Sequence, residues 1–97
     1  MIFGNTALDL VKTRLNRLPD DTSLDSYLIA RIAAAEEELC RTGIRLEADS
    51  SADLMLLVDY TVWSYQNRDQ HTGMPDWLRL RRRERFLNQR EVTADDS

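Results

Sequence analysis

The stretch from Ala52 to Asp69, ADLMLLVDYTVWSYQNRD, reads as one helix with apolar residues around nearly its whole circumference, and an arginine-crowded segment follows it closely. At about 100° per residue, Leu54, Val58, Val62 and Tyr65 fall on one side, while Leu56, Tyr60 and Trp63 fall roughly opposite. A helix with two apolar faces needs two covers. Either it runs through the middle of its own domain, or the chain completes its burial against another subunit. Aromatic residues such as Tyr60 and Trp63 serve as anchors in both settings.

Ninety-seven residues suit a single domain, and with 42% hydrophobic residues, 31% charged residues, three Gly and two Pro the composition is that of a helical protein. The expected fold is all-α: a bundle of about four helices spanning residues 1–90, with a short irregular connector between helices two and three. An acidic flexible tail is expected over 91–97. No apolar run approaches the roughly 20 residues that cross a bilayer, and Met1 to Gly4 is too short for a secretory core, so a cytosolic chain without membrane contact is expected. Cys40 and His71 supply too few soft ligands for a typical zinc site, and no metal or cofactor is expected.

Four helices can be placed. The first is expected to start at Thr6, with Thr6 and Asp9 as a capping box, and to run to Asn16 or Arg17 behind a stripe of Leu8, Val11, Leu15 and Leu18. The second runs from Leu24 to Thr42 with Leu24, Leu28, Ile32, Ala35 and Leu39 on one face, and Gly43 suits the left-handed position after it. Ser50 or Ser51 caps the third. Pro75 opens the fourth, which is expected to end near Gln89 and to bury a narrow stripe of Trp77, Leu80 and Leu87.

Charge is uneven. Residues 1–75 hold seven Lys or Arg against twelve acids, residues 76–90 hold six Arg against two acids, and the tail adds three acids, for a net charge of −4. The basic stripe can pair with a neighbouring copy, another protein or phosphate. Arg79, Arg83 and Arg90 share one side of helix four, whereas Arg81 and Arg85 lie toward another, which does not suit a groove-reading helix. The acidic triplet Glu36, Glu37 and Glu38 sits near the C-terminal end of helix two, where the macrodipole disfavours negative charge, so a basic group is expected nearby. Neither a nucleophile with an adjacent base nor a phosphate-cradling glycine loop is present, and no catalytic residue is expected.

Three stretches carry a resemblance: Asp9 to Leu15 (DLVKTRL), Leu24 to Leu39 (LDSYLIARIAAAEEEL), and Asp59 to Arg68 (DYTVWSYQNR) leading to Met74 to Leu78 (MPDWL) and the final helix. Together, over about residues 5–88, they resemble the small helical head-tail connector proteins of long-tailed bacteriophages and prophages, also called head-completion or DNA-packaging adaptor proteins. The resemblance implies a homo-oligomeric ring of about a dozen copies at the virion head-tail junction, monomeric in some isolated states, assembled in the bacterial host cytoplasm. Such a ring docks on the portal protein and receives a stopper or tail protein, and DNA passes through its lumen without specific binding. The expected subunit and portal interface is Leu56, Tyr60, Trp63, Arg68 and Trp77 with Arg81, Arg82 and Arg85, the three arginines meeting an acidic surface such as Glu36, Glu37 and Glu38 of a neighbour. The competing readings are a small nucleic-acid-binding regulator that uses the Arg-rich helix through Arg79 and Arg83, and a helical enzyme, which requires a polar pocket.

Overall fold

The computed structural model describes residues 2–69 and 73–96, with side chains described as far as residue 89. The chain is all-α: α1 Asn5–Arg14, α2 Asp25–Arg41, α3 Ser51–Gln66 and α4 Asp76–Asp96, with no strand among the described residues. His71 lies outside the described residues.

Helix α3 is the central element. It packs against each of the other three helices, α1 also packs on α2, and α4 lies on α3. Of the two ways to cover a doubly apolar helix, the chain uses the first. Leu57 and Val58 are fully buried, Leu56, Tyr60 and Val62 are buried, and Val11, Leu28, Ile32, Leu39, Ile44 and Leu78 close around them. Met55 is the α3 side chain that stays exposed among its large apolar residues.

Both helices that precede α3 end in the same way. In α1 the Asn16 N–H donates to the Thr13 carbonyl and the Arg17 N–H to that of Lys12, with Asn16 at φ 60°. In α2 the Gly43 N–H donates to Cys40 and the Ile44 N–H to Leu39, with Gly43 at φ 96°. These are paired Schellman closures, each needing a residue that tolerates the left-handed region. The α2 closure turns the chain so that Ile44 enters the core.

Three boundaries differ from expectation. Helix α1 begins at Asn5 behind Gly4, without a side-chain cap from Thr6. Its Asn16 closure ends the helix at Arg14, so Leu18 leaves the apolar stripe and stands 68% exposed. Helix α4 continues to Asp96 rather than stopping near Gln89, a segment with no Gly or Pro to break it. At α3 the Ser50 hydroxyl accepts from the Asp53 N–H at 3.1 Å, as its position before an apolar run suggests.

Candidate functional site

The arginine helix is anchored by two carboxylates that interrupt the apolar run of α3. Asp53 is 1% exposed, and both of its carboxylate oxygens accept hydrogen bonds. Its Oδ1 accepts from Arg85 Nε at 2.6 Å, and its Oδ2 accepts from Arg85 Nη2 at 3.1 Å and from the Glu47 N–H at 2.8 Å. The same Arg85 Nη2 donates to the Arg45 carbonyl at 2.7 Å. One turn further on, Gln89 accepts from the Arg45 N–H and donates to the Gly43 carbonyl. Helix α4 thus holds the backbone of the α2–α3 connector in place.

Asp59, also buried, sits between two guanidiniums: Arg14 of α1 bonds one carboxylate oxygen and Arg81 of α4 the other. It ties three helices together. A carboxylate buried without a partner costs several kcal/mol, so the register of α4 follows Arg81 and Arg85. The inward residues of α4 are Leu78, Arg81, Arg82, Arg85 and Phe86, and the stripe Trp77, Leu80 and Leu87 faces outward at 49%, 57% and 41% exposure.

Of the residues expected at an interface, Leu56 and Tyr60 are sealed inside the protomer and cannot meet a neighbour in this fold. Arg81 and Arg85 are taken up by α3 of their own chain, and their charge is spent on internal acids rather than on another subunit. Trp63 is half-buried, its ring edge-on to Tyr60 at 5.9 Å. Arg68, at the exposed end of α3, lies over the Tyr65 ring at 4.2 Å. Trp77 is exposed, Arg82 is half-buried, and neither Arg82 nor Arg83 has an ion-pair partner among the described residues. In the acidic triplet, Glu36 accepts from the Ile2 N–H, Glu38 pairs with Arg41 at 2.8 Å, and Glu37 is exposed. The basic neighbour expected there is therefore Arg41 of the same helix. Leu56, Arg81 and Arg85 line one cleft between α3 and α4, and the charges of Glu38 and Arg82 both reach Tyr60.

Asp53 and Asp59 are the helix-anchoring side chains that the apolar pattern conceals. The available signal was their presence in a segment otherwise too apolar to hold a free charge, followed by a helix rich in the one residue that pairs bidentately with carboxylate.

Burial pushes the Tyr60 hydroxyl above its ordinary pKa of 10.0; Glu38 adds to the shift and Arg82 opposes it. The folded state keeps this proton when the unfolded chain has lost it. The resulting stability is fully present below about pH 10 and declines as pH rises toward the folded value. In alkaline denaturation Tyr60→Phe is expected to lose this part of the slope. An identical slope in the variant would show that Tyr60 ionises as freely in the fold as out of it.

Among the described residues no cluster of three or more metal-ligating side chains occurs, and no helix is long and apolar enough to cross a membrane. The site and fold define a small all-α domain whose fourth helix is ion-paired inward and exposes Trp77, Leu80 and Leu87 among charged and polar residues. Comparison with protein-family models, curated proteins and solved structures gives no match.

Proposed function

We propose that this chain is a structural joint protein of the head-tail connector kind. It assembles as a homo-oligomeric ring, docks on a portal, accepts a stopper or tail protein, and carries out no turnover. The observation that carries the reading is the outward face of α4. Trp77, Leu80 and Leu87 line up on it, and exposed Arg79 and Arg83 lie alongside. Tryptophan and arginine are the residue types that dominate protein interfaces, and a helix anchored by buried ion pairs presents them at low entropic cost. The portal is the component this face meets. A net charge of −4 also leaves little counterion release to hold passing DNA.

The test is to size the purified full chain over a range of concentrations, alone and with the portal protein of the same genome, and to image any closed species. Rings on the portal are expected, and Trp77→Ala with Leu80→Ser should remove portal binding while leaving the fold intact. Salt-dependent duplex binding that disappears when Arg79 and Arg83 become alanine, with no assembly on the portal, would replace this reading by the nucleic-acid one.

A further inference from the structure

Two features lie outside the Trp77, Leu80 and Leu87 stripe of α4 and the internal ion pairs. The first is the turn between α1 and α2. Leu18 is the most exposed large apolar residue described, at 68%. It opens a β-turn with Pro19 at the second position, closed by the Asp21 N–H to the Leu18 carbonyl at 3.0 Å. Buried Lys12 donates to the Pro19 carbonyl at 3.0 Å, and Asp21 accepts from the Ser23 hydroxyl at 2.7 Å. The turn is a fixed knob. It shows a leucine and, two residues on, an exposed Asp20 with no ion-pair partner among the described residues.

The second is an open cleft of about 250 Å³ between the end of α2 and α4, lined by Thr42, Ile44, Arg79, Arg82, Arg83 and Phe86. Its apolar surface includes the half-buried Phe86 ring, with Ile44 buried beneath, and its rim is three guanidiniums. Arg79 is partly engaged, through the Met74 carbonyl at 3.1 Å and Asp76 at 3.5 Å. The volume falls below the roughly 300 Å³ at which small-molecule pockets begin. A phosphate would use the rim and leave the apolar floor idle. A branched aliphatic side chain with a carboxylate beside it uses both.

We infer that the Leu18–Asp21 turn of one copy seats in the Arg79–Arg82–Arg83 cleft of the next, with Leu18 against the Phe86 side of the cleft and Asp20 against the arginines. The knob precedes α2 and the cleft follows it, so the 17 residues of α2 separate them by about 25 Å within one chain. A chain cannot satisfy its own cleft, and the contact is head-to-tail, the geometry that closes a ring or continues a filament. This inference rests on the joint-protein reading and names the contact between its copies.

Both elements can be altered without touching the core, since Leu18, Asp20, Arg83 and Thr42 are exposed. In a Cys40→Ser background, chains with Thr22→Cys, an exposed position beside the intact Leu18–Asp21 turn, mixed with Thr42→Cys chains at up to about 1 mM are expected to oxidise to a mixed dimer faster than either alone. Asp20→Arg should weaken self-association about tenfold, and Asp20→Arg with Arg83→Asp in one chain should restore it. If rings form while the mixed disulfide is no faster than the self-pairs and Asp20→Arg changes nothing, this contact is wrong and the joint-protein reading stands. If neither rings nor mixed dimers form, with or without portal, both are overturned.

Discussion

Replacing Asp53 with alanine is expected to destabilise the fold by about 3–5 kcal/mol, because it strands a guanidinium in a site built around a carboxylate. Arg85 is 21% exposed at its side chain and Asp53 only 2%, so water reaches the pair poorly. The substitution also leaves the Glu47 N–H without its acceptor and frees the connector that Arg85 holds through the Arg45 carbonyl. Against a total of about 5–15 kcal/mol for a chain of this size, this is a large share. In urea unfolding the midpoint should fall with little change in slope. Converting both partners to leucine should recover much of the loss, since the buried pair opposes its own desolvation and apolar replacements carry none. A single alanine variant as stable as the parent would mean that α4 is not fastened by this pair.

The corresponding cut at Asp59 should cost less. Its partners Arg14 and Arg81 are 43% and 38% exposed at their side chains, and solvent screening weakens such pairs toward the 0–1 kcal/mol typical of surfaces. What Asp59 supplies is placement, since its two oxygens bring α1 and α4 to the same point on α3.

The difference between these two carboxylates also explains how far the fold could be read from the chain. Helical periodicity, Ser50, Gly43 and Pro75 mark four helices well, because each signal acts through local backbone geometry. Which way α4 turns was not legible. Trp77, Leu80 and Leu87 form the better apolar stripe, and an amphipathic reading aims them inward. The opposite face wins because its arginines neutralise acids 22 and 32 residues away, a pairing that no local pattern records. Leu56 and Tyr60, expected at an interface, lie in the core because α3 is packed against all three other helices. Leu18 was misplaced for a smaller reason: Asn16 adopts the left-handed conformation, and the chain turns before the periodic stripe is complete.

Gly43 should be the most sensitive glycine, with Gly43→Ala costing about 2–4 kcal/mol from two sources. A φ of 96° disfavours any L side chain, and an added Cβ would stand 2.7 Å from Phe86 Cε2, closer than carbon atoms approach. Asn16 performs the same closure with a side chain at φ 60°, the left-handed conformation that asparagine tolerates best. Gly43→Asn therefore helps to separate the sources, since asparagine is less strained than alanine in a left-handed backbone and still collides with the ring. In a double-mutant cycle, Phe86→Ala should remove most of the added cost of Gly43→Asn and only part of that of Gly43→Ala. Strict additivity between positions 43 and 86 would mean that the ring does not press on the α2 closure. Coupling would establish that the left-handed turn and the seat of α4 are one requirement, met by the same missing side chain.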